Sequence, residues 1–205
     1  MPKLIRGQKQ ILLRIVYVGP GVGGKTTNLK YMEKVFPELR LVELATVGDR
    51  TFGGDFMPLV LGAEPIDGYE AQVSLASVPG QLIHRPARAD VLRNADVVVF
   101  VADLHPLRVD ANRYALEDLR ALLVEQRRDP AKVPIVFQGN KSDLPDAVGL
   151  EDIDALLNPG GAPMCASIAV DGVGVFETLR VAIGLAFAVG REYIAEVTPP
   201  QAALA

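Results

Sequence analysis

The sequence predicts an α/β fold: a mostly parallel six-stranded sheet with one antiparallel edge strand and helices on both faces. Three observations carry that expectation. Val97–Asp103 is a continuous apolar, β-branched run, the pattern of a strand covered on both faces. Asp110–Arg127 sets Leu116, Leu119 and Leu123 at helical spacing with charges between them. The pair Asp67-Gly68 separates two strand-like runs and is a strong two-residue hairpin signal.

Taken in order, the elements alternate. Ile11–Val18 is an apolar, β-branched strand that stops at a glycine-rich loop. Thr26–Val35 follows as a helix ended by Pro37. Phe56–Leu61 and Tyr69–Val78 pair as the hairpin. Val97–Asp103 is followed by the helix Asp110–Arg127, then by the buried strand Val133–Gln138. Glu151–Leu157 reads as a short helix, Pro163–Ser167 as a strand and Val175–Val189 as a last helix with an apolar face. Residues 11–190 then make one domain. Residues 1–10 form an N-terminal extension, in which Leu4–Gln10 either adds to the sheet or is disordered. Residues 191–205, with Pro199-Pro200, read as a flexible tail.

The 205 residues suit one domain, and 49% hydrophobic residues are enough for a sizeable core, which excludes a disordered chain. Lys plus Arg number 21 against 25 for Asp plus Glu, a net charge of −4 that does not suggest nucleic-acid binding. A lone Cys165 leaves no disulfide to form, so a reduced, cytoplasmic setting is expected. No apolar run approaches the ~18–20 residues of a membrane span. Pro2 and the cysteine-free terminus imply no lipid anchor.

Two motifs carry the chemistry. Gly19-Pro20-Gly21-Val22-Gly23-Gly24-Lys25-Thr26 fits G-x-x-x-x-G-K-[ST], between a strand and a helix as that loop requires. Its glycines let successive N–H groups of Gly21, Val22, Gly23 and Gly24 converge on phosphate oxygens, and the following helix adds its positive end. Lys25 would reach the β- and γ-phosphates, the Thr26 hydroxyl would ligate Mg²⁺, and Thr27 opens the helix. The second motif, Asn140-Lys141-Ser142-Asp143, lies at the carboxyl end of a strand, where α/β sheets bind ligands. N-K-x-D is the guanine signature of small GTPases. The Asp143 carboxylate accepts from N1–H and the N2 amino group together, a pair that adenine lacks. Asn140 would contact N7 or brace the phosphate loop, and the Lys141 stem would cover a face of the base. Ser167–Gly172 supplies a third segment, with Ile168 at the site and Ala169 as the candidate N–H donor to guanine O6.

The switch segments are read by position. Between the first helix and the Phe56 strand, Thr51 rather than Thr46 is the choice for gripping Mg²⁺ and the γ-phosphate. After the Tyr69–Val78 strand, Gly80 would bind the γ-phosphate through its N–H and Gln81 would orient the attacking water. Small GTPases usually place Asp where this chain has Ser77, so Asp55 is a candidate to supply the missing carboxylate to Mg²⁺. Isolated His84 and His105 read as surface residues. Arg85, Arg88 and Arg93 fall on the second-switch helix, either facing a partner or solvated.

Together these segments resemble the MglA-type bacterial small Ras-like GTPases. The resemblance rests on Gly19–Lys30, Leu44-Ala45-Thr46, Asp49-Arg50-Thr51, Asp55-Phe56, Val78-Pro79-Gly80-Gln81, Phe100–Asp103, Asn140–Pro145 and Gly174–Leu179, in order from about Ile11 to Val189. It implies a Ras-like P-loop fold and a GTP/GDP switch in bacterial polarity and motility. It also implies Mg²⁺ as cofactor, a roadblock-fold MglB-like dimer as activator and further switch-dependent effectors. Arg50 matches the family's intrinsic arginine, and Ser77 fits a group that has Thr-Val-Pro-Gly-Gln there. Gly53-Gly54 and Val22-Gly23 depart from the family's usual residues. Two other readings stay open: a GTP-dependent scaffold with negligible hydrolysis, and a P-loop ATPase or kinase.

Overall fold

The computed structural model describes residues 2–44, 54–60, 65–78 and 85–198. Their strands form one sheet with the order β3(Val42–Leu44)-β4(Gly54–Val60)-β5(Glu70–Ser77)-β2(Gln10–Val18)-β6(Val97–Asp103)-β7(Ile135–Asn140)-β8(Met164–Ser167). The central pairings β2–β5, β2–β6, β6–β7 and β7–β8 are parallel, and β3–β4–β5 is an antiparallel edge. The α/β class and the mostly parallel sheet follow the sequence expectation.

The described sheet has eight strands rather than six. β1(Lys3–Ile5) pairs antiparallel with Gln10–Leu12 of β2, while β6 covers only Ile15–Val18. The amino-terminal half of β2 would otherwise present bare N–H and C=O groups, so the extension closes an open edge. β3 is three residues long, too short for a period-two pattern to stand out.

Burial explains the layering. Along β2, Ile11, Leu13, Ile15 and Tyr17 join one apolar cluster, which Leu29 and Met32 of α1(Lys25–Val35) and Val175, Leu179 and Ala182 of α5(Val175–Val197) complete. Val16 and Val18 point the other way. They meet Leu92 of α2(Arg85–Arg93), Leu116, Leu119, Leu122 and Leu123 of α3(Val109–Glu125), and Ile153 and Leu157 of α4(Leu150–Leu157). β6 contributes to both clusters and is buried throughout, as its unbroken apolar run required.

The hairpin turn is where the sequence put it. Asp67 and Gly68 both have positive φ, 47° and 82°, and Ile66 and Tyr69 exchange N–H···O bonds of 2.8 and 2.9 Å. That is the twist-matched two-residue turn that Asp-Gly favours. The carboxyl end needs correction. Residues 191–197, expected in the tail, belong to α5, because the i, i+4 stripe Ala182, Ala186, Gly190, Ile194 continues past the expected boundary and Ile194 is buried.

Candidate functional site

The carboxyl ends of β2, β6 and β7 bring the two motifs together. β2 runs into the phosphate loop, and α1 begins at Lys25 behind Gly24. Gly19 and Gly24 hold φ of +145° and +104°, and a Cβ at either would collide, with the Val101 carbonyl and the Asn140 amide respectively. Glycine is therefore required at both. Lys25 is buried, and its Nζ donates to the Gly19 and Pro20 carbonyls at 3.1 and 2.7 Å. Gly23 N–H closes a turn on the Pro20 carbonyl at 3.2 Å. Among the described residues no side chain caps α1. Its first-turn N–H groups and positive end face the loop, an arrangement suited to an anion. Thr26 and Thr27 sit half-buried in that turn.

Asn140 closes β7 and joins three loops. Its Nδ2 donates to the Gly23 carbonyl at 2.9 Å, and its Oδ1 accepts from Ser167 Oγ at 3.1 Å and from Ala169 N–H at 2.9 Å. Of its two anticipated roles, bracing the phosphate loop is the one present here. Ala169 N–H is engaged by Asn140 here, and the residue is wholly buried. Ile168 N–H is bonded to the Val173 carbonyl and Asp171 N–H to the Ile168 carbonyl, leaving exposed Val170 with no partner for its N–H among the described residues.

Lys141 takes a positive φ of 68°, and its Nζ lies 2.6 Å from Asp103 Oδ2. Asp143 is exposed and hydrogen-bonds to nothing among the described residues, so its carboxylate is available. Ser142 fastens the loop between them through its N–H and Oγ, both donated to the Ser167 carbonyl at 3.2 and 3.1 Å.

Arg50, Thr51, Gly80, Gln81 and His84 lie outside the described residues, as does the Asp55 side chain; the Asp55 backbone pairs with Glu43 across β3–β4. Ser77 is buried at the end of β5 opposite Tyr17. Among the described residues no group of three or more His, Cys, Asp or Glu could hold a metal. A hydroxyl such as that of Thr26, completed by phosphate oxygens and water, is instead the hard, sparse donor set that Mg²⁺ accepts.

Several polar residues of the site carried no motif. Asn28 donates to Gln138 Oε1 and to the Gly24 carbonyl, and Gln138 answers to Asn28 Oδ1 and Thr178 Oγ1. This buried chain ties α1, β7 and α5 beneath the loops. The only sequence signal was the presence of Asn and Gln at positions whose neighbours are core. His105, read as a surface histidine, caps the turn Pro106–Arg108 by accepting Leu107 N–H at 3.2 Å. Arg85 and Arg88 of α2 are not a solvated strip. Arg85 reaches Asp118 and Glu125 at 3.0 and 2.7 Å, and buried Arg88 reaches Asp118 at 2.9 Å. The Arg85 guanidinium holds the Glu125 carboxyl below its usual range. No helix among the described residues is long and apolar enough to cross a membrane.

No family model matches the chain. It is similar to the mutual gliding-motility protein MglA of Myxococcus xanthus (strain DK1622), with 45% identity over 175 residues, which span 84% of this chain and 89% of that protein.

Proposed function

Because the chain belongs to the MglA-type family of small Ras-like GTPases, we propose that it is a GTP/GDP switch that binds guanine nucleotide and hydrolyses GTP slowly until a partner orders its switches. The observation that carries this reading is Asn140, whose one side chain locks the phosphate loop, the Asn140–Asp143 loop and the Ser167–Val170 loop at fixed separation. A ligand with a phosphate end and a base end needs that fixed span.

In this reading Lys25 and the loop N–H groups hold the β- and γ-phosphate oxygens. Asp143 accepts from guanine N1–H and the N2 amino group, and Val170 N–H faces O6 in place of Ala169. Thr26 and Thr51 would hold Mg²⁺, with Asp55 near enough in sequence to lend the carboxylate that Ser77 lacks. Held there, Mg²⁺ would draw negative charge off the phosphate groups. Gly80 N–H holds the γ-phosphate and Gln81 orients a water that attacks phosphorus as the bond to the β-phosphate oxygen breaks, giving GDP and phosphate. Arg50 neutralises charge developing on that oxygen, an effect worth ~10³–10⁵ in rate for such arginines. The relative's name supports a motility role, and the family resemblance supports a roadblock-fold MglB-like dimer as activator in the cytoplasm. A scaffold with negligible hydrolysis is favoured by one observation, the buried Ser77 in place of the usual Asp.

Chromatography of the denatured protein should release guanine and not adenine nucleotide. Phosphate release with and without a roadblock dimer separates switch from scaffold. R50A and Q81A should keep nucleotide and lose at least ~10²-fold of stimulated hydrolysis; wild-type rates in both would remove those roles.

A further inference from the structure

Arg108 belongs to none of the motifs, yet it reaches the phosphate loop from the far side of β6. Standing at the end of the turn Pro106–Arg108, it donates from Nη2 to the Gly21 carbonyl at 2.6 Å. Its Nε lies 3.7 Å from Asp103 Oδ2, the same oxygen that accepts from Lys141 Nζ. Asp103 is 1% exposed and firmly held. Its Oδ1 accepts His105 N–H at 3.1 Å, and Asn112 exchanges bonds of 2.9 and 2.8 Å with its backbone. The guanidinium is thus fixed to the framework on one side and grips a loop carbonyl on the other.

What it grips is strained. The next residue, Val22, has φ +63°, a left-handed backbone that β-branched residues avoid. Its side chain is 88% exposed, so no packing around it compensates. Such strain persists only where the surroundings impose it. In a trans peptide the Gly21 carbonyl and Val22 N–H point opposite ways. A carbonyl turned out to Arg108 therefore turns the N–H inward.

We propose that Arg108 is a positioning residue for nucleotide binding: by holding the Gly21 carbonyl it keeps the Gly21–Val22 peptide presenting Val22 N–H to a phosphate. Through Asp103 it also links that peptide to Lys141 of the base motif. This rests on the guanine-nucleotide reading above.

The test is release of a fluorescent GDP analogue, chased by excess GDP, in a double-mutant cycle. R108A should speed release about tenfold, the scale set by one residue's left-handed strain. R108K, which keeps charge without the planar fork, should fall between R108A and wild type. In a V22G background, where the conformation is free of strain, R108A should change release by less than about threefold. A residue that merely stabilises the fold gives the same factor in both backgrounds. Equal factors, or wild-type release from R108A, overturn the inference while leaving the nucleotide reading intact; should R108A not fold, R108K in both backgrounds decides in the same way. Wild-type protein that holds no GDP analogue overturns both.

Discussion

Tyr17 is the last but one residue of β2, the strand that feeds the phosphate loop, and is fully buried in the cluster that holds Leu29, Met32 and Met57. Its hydroxyl finds no hydrogen-bond partner among the described residues, and burial pushes its pKa well above the ordinary value. A buried hydroxyl left unpaired forfeits its hydration without compensation. Y17F should therefore gain about 1 kcal/mol in urea denaturation; a loss of similar size would show that the hydroxyl is paired in solution. Residues of this kind were not legible in the sequence, where Tyr17 is one more apolar position in a strand. The positions of the candidates Lys25 and Asp143 were legible, because a lysine after a glycine loop and an aspartate after an apolar strand are defined by neighbours along the chain. The bond from Ala169 N–H to Asn140 was not legible, since the direction of one N–H depends on a side chain 29 residues away.

At the level of elements, α2 is fastened to α3 by charges of unequal depth. The side chains of Arg88 and Asp118 are 7% and 12% exposed, whereas Glu125 is 56% exposed. Removing one partner from a buried pair leaves an uncompensated charge, while an exposed pair is screened by solvent. D118A should lose about 3 kcal/mol by chemical denaturation, and E125A should leave stability unchanged within error. Equal losses in the two would mean that burial does not set the strength of this clamp. Most element types were readable, because strand and helix periods are local; α2 was placed only by its position in the chain, and lengths and very short strands escaped. α5 ran beyond the boundary set at Val189 because Gly190 interrupts the apolar run, although Gly190 packs against Ile66, Ile11 and Leu13 where a larger residue would crowd them.

For the whole molecule, the sheet end opposite the motifs holds Asp96, which accepts Arg14 N–H at 2.8 Å and sits close enough to Arg128 to feel its charge. Burial raises its pKa above the ordinary 3.8 despite those contacts. Below that value both folded and unfolded chains carry the proton, and the group is neutral towards stability. As pH climbs from there to the higher folded value, the unfolded chain releases its proton first, and the folded state loses stability relative to it. D96N lacks this loss, so its stability measured against wild type should increase from acid to neutral pH; a constant difference would argue that Asp96 is not desolvated. Parallel pairing of β2, β5, β6 and β7 puts this carboxylate at one end and every motif loop at the other, which separates stability from the candidate chemistry.

The chain order of hydrophobic runs, glycines and turn pairs fixed the α/β class and marked the candidate phosphate and base loops, since each rests on neighbours a few residues apart. The pairing of Arg108 with Gly21, 87 residues distant, of Lys141 with Asp103, and of β1 with the open half of β2 came only from tertiary structure. Those contacts depend on which strand ends the sheet sets side by side, and a parallel sheet joins strands whose sequences lie far apart.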